Sequence, residues 1–199
     1  MMADDNRARI LDFAVAAIDA GGEVVVRVHD IAAQAGISVP IIYHYFGNRE
    51  GLVIAAQVER YTRQTQTDIS AIQRAVDLCT SSAELRTALR ITWERSFTQR
   101  TTNRWRRVNV VGSAYGRPEL ESAISRAQDD ILREITAIFE PCWERGWLRA
   151  DIDLASTVAW HHSVMISRVF IERGTRQGDP SEWNRLTLEA FDRAFFGSL

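Results

Sequence analysis

The sequence predicts an all-α protein with an N-terminal three-helix head, which contains a helix-turn-helix, and a C-terminal helical bundle. Apolar residues recur three or four positions apart along most of the 199 residues, as in amphipathic helices. Residues 52–111 hold neither glycine nor proline, so helix breaks there must come from caps and polar clusters. The predicted domain boundary separates residues 1–50 from residues 51–199.

Two short helices joined by a tight turn are predicted in the head. Ile31 and Ala35 belong to the buried stripe of a helix over residues 28–35. Gly36 ends this helix, because glycine adopts a positive φ without steric cost. Ser38 can cap the next helix with its hydroxyl and Pro40 suits its first turn, so the second helix is predicted over residues 39–46.

The second helix carries more apolar and aromatic side chains than a solvent-facing helix needs. Ile42 and Phe46, four positions apart, are expected to face the core. In the major groove of DNA, the other apolar groups can contact thymine methyls, and the tyrosine and histidine side chains can bind phosphates or base edges. The residues predicted to contact DNA are Arg27, His29, Ser38, Val39, Pro40, Ile41, Tyr43, His44, Tyr45, Asn48 and Arg49.

This segment resembles the TetR family of bacterial transcriptional regulators over roughly residues 7–55. An upstream helix around residues 10–14, stopped by Gly21-Gly22, fits the first helix of the family. The resemblance implies a homodimer that reads palindromic operator DNA and responds to a small molecule. The matching motifs are Asp30-Ile31-Ala32, Ala35-Gly36-Ile37-Ser38, Tyr43-His44-Tyr45-Phe46 and Asn48-Arg49-Glu50-Gly51-Leu52.

Two features of the head depart from this resemblance. Family members usually have Ser or Thr where Arg27 stands, so the helix that follows must find another cap, and Asp30 in its first turn can compensate in part. Residues 1–52 also hold four arginines against seven acidic residues, a net charge of −3, whereas a DNA-binding head is normally basic. Most of these acids lie at helix starts or in the first helix, away from the predicted groove face.

Composition excludes several other classes of protein. The formal net charge is −2, and no apolar run approaches the 18 residues that a transmembrane helix needs. The first nine residues lack the apolar segment of a signal peptide, so we expect a cytoplasmic protein without a membrane partner. Cys79 and Cys142 lie 63 positions apart and show no metal-ligand spacing, so neither a metal nor a cofactor is predicted.

The C-terminal region reads as a series of capped helices. Ser81 and Glu84 form a capping box before a helix to about Phe97. A shorter helix is predicted over about residues 104–114, and Gly116-Arg117-Pro118 opens a long helix in which Pro141 predicts a kink or a restart. The last two predicted helices are capped by Asp153, for a helix to about Glu172, and by Asp179.

The last helix is too apolar on one face to lie alone in water. The family resemblance implies that the two final long helices of the chain pair with those of a second subunit in a four-helix bundle. Burial within a single chain is the alternative, because every helix needs a neighbour. The predicted dimer-interface residues are Trp183, Leu186, Phe191 and Phe195.

Aromatic residues concentrate between the head and the last helix, where the resemblance places a ligand cavity. Such walls with a few polar side chains suit an apolar or ring-containing effector, although they also describe an ordinary core. Adjacent helical positions point about 100° apart, so at most one of His161 and His162 is expected to line the cavity. The predicted ligand-binding residues, within residues 82–170, are Trp93, Phe97, Trp105, Tyr115, Trp143, His161 and Met165.

These observations predict a ligand-responsive, sequence-specific transcriptional regulator, most simply a repressor that a small apolar or aromatic effector releases from its operator. The helix from Arg49 to about Val76 connects the head to the rest of the chain and is expected to transmit effector binding to the head. Arg100, Arg104, Arg106 and Arg107 are expected on a solvated face or at a subunit contact. A helical adaptor that binds only protein stays open, and so does an enzyme with an unrecognised site, although no catalytic or nucleotide-binding motif is present.

Overall fold

The computed structural model describes residues 2–172 and 178–197, which are predominantly helical. The α-helices, in chain order, are α1 Met2–Gly21, α2 Val28–Ala35, α3 Val39–Phe46, α4 Arg49–Asp77, α5 Ser82–Gln99, α6 Thr101–Ala114, α7 Pro118–Glu144, α8 Leu154–Ser167, α9 Val169–Glu172 and α10 Pro180–Phe196. A 3₁₀ turn over Glu23–Val25 lies between α1 and α2. The all-helical prediction is confirmed for these residues.

Helices α2 and α3 form the predicted helix-turn-helix. Gly36 adopts the left-handed conformation, with φ 65° and ψ 37°, and its N–H donates to carbonyls at the end of α2. The Ile37 N–H donates to the Ala32 carbonyl at 3.1 Å, which completes the turn. Ser38 takes the N-cap position of α3 and Arg27 that of α2, but neither side chain makes a capping hydrogen bond. The predicted hydroxyl cap at Ser38 is therefore not formed.

The first compact unit comprises residues up to 63 together with 110–127. Its core contains Ile10, Ile31, Ile42, Leu52 and Ala56, each 0–1 % exposed. The unit extends beyond the predicted boundary at residue 50, because the first turns of α4 complete this core. Polar contacts bring in the second segment, since Arg117 at the start of α7 pairs with Glu23 and Glu50.

The second compact unit comprises residues 64–109 and 128–199. Three of its helices begin at the predicted caps: the side chains of Ser81, Asp153 and Asp179 accept hydrogen bonds from backbone N–H groups in the first turns of α5, α8 and α10. The aromatic core joins α5 and α10, where the Trp93 ring centroid lies 5.2 Å from that of Phe191.

Two boundaries differ from the sequence prediction. Helix α7 includes Pro141 and ends one turn later at Glu144, so the predicted restart does not occur, and the Arg145 N–H donates to the Pro141 carbonyl at 3.2 Å. The expected helix up to about Glu172 is divided at Arg168 into α8 and α9. At this break the Ser167 hydroxyl donates to the Val164 carbonyl at 2.8 Å and competes with helical hydrogen bonding.

Among the described residues, no helix has both the length and the apolar character required to span a membrane.

A buried ion cluster links α6 to α8 and α9. The carboxylate of Glu172 pairs with Arg104 and, at 2.9 Å, with Arg168, and the three side chains are 3–9 % exposed. Arg104 also donates to the carbonyls of Ser96, at 2.7 Å, and Phe97, at 2.9 Å. Both ion pairs use Oε1 of Glu172, while Oε2 is buried without a hydrogen-bond partner among the described residues. Two buried guanidinium groups share this one carboxylate, so the cluster depends on its charge.

We predict that Glu172→Gln lowers the free energy of unfolding by about 3 kcal/mol, because it leaves two buried guanidinium groups without their counter-charge. Glu182→Gln is the matched control. Glu182 pairs with Arg185 on the surface, where both side chains are 51 % exposed, so we expect a loss below about 1 kcal/mol. Urea denaturation measures both values, and equal losses for the two variants would contradict the role of the cluster.

Candidate DNA-binding head and effector cavity

Helix α3 presents two chemically different faces. Ile42 is fully buried, and Val39, Tyr45 and Phe46 pack partly against the core of the first unit. The opposite face carries Pro40, Tyr43 and His44, which are exposed, with Tyr43 at 45 %. The arrangement leaves a small aromatic and polar surface available to a groove of DNA.

The orientation of α3 is held by close contact with the start of α4. A Cβ atom on Gly51 would lie 2.0 Å from the Phe46 carbonyl oxygen, so only glycine fits at this position. The Asn48 side chain accepts a hydrogen bond from the Gly51 N–H at 2.8 Å and caps α4 as expected. The sequence motif contained Gly51, but its spacing gave no signal of this contact.

The Arg49 side chain, predicted to contact DNA, is engaged within the head in this structure. Its Nε donates to the Val26 carbonyl at 2.8 Å, and its guanidinium also donates to the Glu23 carbonyl. These bonds hold the turn before α2 against the start of α4. A phosphate contact by this side chain would require it to give up these partners.

Ion pairs within the first unit account for much of its acidic excess. Asp12 pairs with Arg63 at 2.6 Å and Asp19 with Arg60 at 2.8 Å. Glu23 and Glu50 pair with Arg117, and the pKa of Glu23 is lowered by hydrogen bonds from Arg117 and Gln57, against the opposing effect of burial. Four of the seven acids counted in residues 1–52 are thus paired with arginines further along the chain, which lessens the conflict with a DNA-binding role.

Most of the remaining residues predicted to contact DNA are accessible from solvent. Arg27, His29, Ser38 and Asn48 are exposed, whereas Ile41 is partly buried. Their contacts with DNA remain predictions.

The second unit contains a partly open cavity of about 90 Å³. One water molecule needs roughly 10–15 Å³ of such space, so the cavity can hold several waters or a small organic group. Helix α4 contributes to the wall, although the cavity was predicted within residues 82–170 only. The lining residues are Thr65, Asp68, Ile69, Ile72, Thr92, Trp93, Ser96, Arg100, Asn103, Arg104, Arg107, Ile135, His161, His162, Met165 and Ile166.

Three of the seven predicted ligand-binding residues line this cavity, namely Trp93, His161 and Met165. The other four lie elsewhere. Phe97 is buried against Trp183, Trp143 donates its indole N–H to the Arg149 carbonyl at 3.1 Å, and Tyr115 is 89 % exposed. Trp105 is partly buried outside the lining. Aromatic content alone could not distinguish core and surface rings from cavity rings.

Both His161 and His162 line the cavity, so the expectation that only one of them could do so is wrong. The rings are 9 % and 7 % exposed, and the cavity follows enough of the α8 surface to meet two adjacent positions. The His161 ring packs 4.4 Å from the Phe191 centroid. The Nε2 atoms of both rings are buried without a hydrogen-bond partner among the described residues.

Burial keeps both imidazoles neutral near pH 7. Desolvation lowers the pKa of His161 to about 3, and the neighbouring His162 contributes to this. Desolvation also lowers the pKa of His162 to about 4, with a further contribution from the positive charge of Arg107. The neutral rings can each donate or accept one hydrogen bond at Nε2, depending on the tautomer.

Three arginines of the predicted surface cluster belong to the cavity wall. Arg100 pairs with Asp68 at 2.7 Å, Arg104 is part of the buried ion cluster and Arg107 donates to the Thr65 hydroxyl. The expectation of a solvated face is therefore wrong for Arg104, which is 4 % exposed. Charge clustering in the sequence did not show that Arg104 has a buried partner in Glu172.

Phe191 and Phe195, predicted at the dimer interface, belong instead to the core of a single chain. Both are fully buried against rings such as Trp93, so they have no surface to offer a partner. Trp183 is partly covered by Phe97, with centroids 5.5 Å apart. Leu186 is 52 % exposed and Trp160 on α8 is 41 % exposed, so apolar surface remains on both helices.

Cys142 is buried and Cys79 is partly buried, and burial raises the pKa of both thiols. No group of three or more His, Cys, Asp or Glu side chains within residues 2–172 and 178–197 is arranged to hold a metal ion.

Comparison with known proteins gives a family match for the head. The profile of the family described as bacterial regulatory proteins, tetR family, matches residues 10–56. A search of curated proteins by sequence gives no match.

Solved structures with the same fold span nearly the whole chain. A TetR-family transcriptional regulator from Mesorhizobium loti has 17 % identity and a TM-score of 0.72, with 98 % of this chain and 99 % of that chain covered. FadR from Bacillus subtilis, solved with stearoyl-CoA, has 17 % identity and a TM-score of 0.61, with 97 % and 100 % covered. A regulator from Saccharomonospora viridis, solved with choline, has 17 % identity and a TM-score of 0.62, with 96 % and 98 % covered.

Gly51→Ala should disrupt the head, because the added methyl group collides with the backbone of α3. We expect a loss of at least about 2 kcal/mol in unfolding free energy, since a backbone clash cannot be relieved by a rotamer change. Gly112→Ala in α6 is the matched control, as its Cβ would meet no atom within 4 Å. It should be neutral or stabilising by up to about 1 kcal/mol. Similar thermal stability of both variants would refute the close contact.

Acid should destabilise the second unit through its two histidines. Their pKa values are lowered in the folded state, so below pH 6.5 the unfolded chain takes up protons that the folded chain refuses. Stability is fully present above that pH and is lost as the pH falls toward about 4 and 3. At pH 5 each ring should cost about 2 kcal/mol.

Unfolding free energies of wild type, His161→Phe and His162→Phe at pH 7.5 and pH 5 test this expectation. Each variant should lose less stability than wild type between the two pH values. His29→Phe, at an exposed position in the head, should behave as wild type. An unchanged pH dependence in both cavity variants would show that the rings are not held neutral.

Proposed function

Since its N-terminal domain places this chain in the TetR family of bacterial transcriptional regulators, we propose that it is a repressor that binds palindromic operator DNA as a homodimer. A small molecule that occupies the cavity of the second unit releases it from the operator. The observation that carries the proposal is a helix-turn-helix whose second helix leaves Pro40, Tyr43 and His44 exposed while Ile42 anchors it in the head.

DNA reading is assigned to the exposed face of α3. The Tyr43 hydroxyl and the His44 ring can bond base edges or phosphates, and Pro40 can pack against thymine methyls. Ser38 and the Asn48-Arg49 start of α4 lie at the two ends of α3 and are assigned to the phosphate backbone. For Arg49 this assignment requires the guanidinium to leave the carbonyls of Val26 and Glu23 when DNA binds. Val39 and Tyr45 contribute mainly to the position of α3, because they pack partly against the core.

Dimerisation is assigned to the exposed apolar surface of α8 and α10. Trp160 and Leu186 represent this surface, in place of the buried Phe191 and Phe195. A two-fold dimer presents one head to each half-site of a palindrome. A single head contacts one half-site and cannot recognise the whole palindrome.

Effector control follows from occupation of the cavity. The effector must bind more tightly to the DNA-free conformation of the dimer, because only a difference in affinity can shift the equilibrium. Helix α4 is the proposed lever: Leu52 and Ala56 belong to the head core, and Ile69 and Ile72 line the cavity. The stearoyl-CoA and choline in the related structures support small-molecule binding by this fold.

Selection of bound sequences from a random double-stranded DNA pool tests the proposed function. The purified protein should enrich an inverted repeat whose half-sites are separated by a whole number of helical turns. Tyr43→Ala and His44→Ala should each weaken binding to the selected DNA by about 5-fold to 150-fold if the lost contact is to a base edge. Tyr115→Ala removes an 89 % exposed tyrosine outside α3 and should bind as wild type.

No enrichment by the folded wild-type protein would refute DNA reading. Equal affinities of all three variants and wild type would move the reading surface away from α3.

The dimer surface is tested by Trp160→Glu together with Leu186→Glu. Charges placed on a buried interface remain unpaired, so sedimentation should show a folded monomer that has lost affinity for the inverted repeat. Leu78→Glu is the control, because Leu78 is 82 % exposed on a different part of the second unit. A double variant that stays dimeric would place the interface elsewhere.

A further inference from the structure

We propose that the effector is a small organic anion whose carboxylate binds at the Nε2 atoms of His161 and His162, with its apolar body against the walls of the cavity. This inference rests on the proposed function and specifies the chemical class of the effector. It is carried by the polar atoms, the charges and the apolar surface that meet in the cavity.

The two imidazoles supply the polar recognition groups. Their Nε2 atoms are buried and have no hydrogen-bond partner among the described residues, although both rings line a cavity. Buried nitrogen atoms are paired in the great majority of native structures, so an unpaired couple beside an open volume indicates a partner that comes from outside the chain. An imidazole with its proton on Nε2 donates to a carboxylate oxygen, and such charge-assisted bonds are stronger than neutral ones.

The charges around the cavity favour an anion over a cation. Arg100, Arg104 and Arg107 line it together with a single acid, Asp68. That acid is paired with Arg100. Glu172 lies outside the lining and pairs with Arg104 and Arg168 through Oε1, while its Oε2 is buried without a hydrogen-bond partner among the described residues. A cationic ligand in the cavity would therefore meet three guanidinium groups, and the one carboxylate of the lining is already paired. An anionic ligand gains from the same field, which is weakly screened in a buried site.

The rest of the cavity wall determines the size and the polarity of the ligand's body. Ile69, Ile72, Trp93, Ile135 and Met165 come from four helices and present apolar surface. The volume of about 90 Å³ is smaller than the roughly 150 Å³ that holds benzene in an engineered cavity. The fit is to a short branched chain or, with some outward movement of the walls, one ring.

Two matched series of probes test the proposal. Benzoate, benzyl alcohol and benzylamine share a ring, and isobutyrate, isobutanol and isobutylamine share a smaller branched body. At pH 7.5 each series provides an anion, a neutral molecule and a cation. Saturable increases in melting temperature, together with quenching of tryptophan emission, measure binding. We expect at least one anion to bind more tightly than its alcohol, and neither ammonium ion to bind.

Four variants separate recognition from packing. His161→Phe and His162→Phe keep an aromatic ring but remove Nε2, so each should weaken binding of the anion roughly tenfold or more while folding normally. His29→Phe should bind it as wild type. Thr87→Ala, on α5 but outside the cavity lining, removes a hydroxyl that donates to the Ala83 carbonyl at 2.9 Å, and it should have little effect.

The proposal is overturned if neither anion binds the wild type, if an ammonium ion binds as tightly as its carboxylate, or if both histidine variants keep wild-type affinity for the anion. Each of these outcomes leaves DNA selection by the wild-type protein untouched. Failure of DNA selection with intact, histidine-dependent anion binding would instead contradict the proposed function.

Discussion

The proposed link between the cavity and the DNA-reading helix depends on the uninterrupted backbone of α4. Hydrogen bonding continues along the helix from Arg49 to Asp77, so residues that complete the head core and residues that line the cavity belong to one rigid element. Gly51 fixes its first turn against α3, and Asp68 and Ile69 place its later turns in the cavity wall. In the proposed effector response, it is a movement of α4 within the wall that reaches α3.

Ion pairs compensate much of the acidic charge of the head. Arg117 reaches Glu23 and Glu50 from the start of α7, and Arg60 and Arg63 pair with Asp19 and Asp12. In the second unit the Glu172 cluster compensates buried guanidinium groups, while the two neutral histidines leave polar atoms unpaired. Unpaired polar groups reduce stability, and we interpret them as the cost of keeping a binding site ready.

Local signals in the sequence predicted much of the fold. The glycine turn at Gly36 and the caps at Ser81, Asp153 and Asp179 act within a few residues, so their outcome needs no knowledge of distant contacts. The sequence left a kink and a restart open at Pro141, and the restart does not occur. Whether α7 continues beyond a missing hydrogen bond depends on tertiary packing, which local sequence does not show.

The candidate site was less accessible to sequence reasoning. Trp93 and Tyr115 are both aromatic and both lie on predicted helices, yet one lines the cavity and the other is exposed, because the difference depends on which helices pack together. Periodicity predicted an apolar face for α10, but it could not assign Phe191 to the core of one chain rather than to an interface. The same limit hid Arg104, whose buried partner Glu172 is 68 positions away in sequence.

The coupling between the cavity and the DNA-reading helix is tested most directly by filling the cavity from a helix other than α4. Met165→Trp on α8 adds bulk at a lining position, and Thr98→Trp adds the same side chain at an exposed position of α5 outside the lining. Met165→Trp, folded and dimeric, is expected to bind the selected inverted repeat roughly tenfold more weakly than wild type, while Thr98→Trp binds it normally. The coupling would be contradicted if Met165→Trp bound the operator with wild-type affinity while its fluorescence emission showed that the new indole is buried.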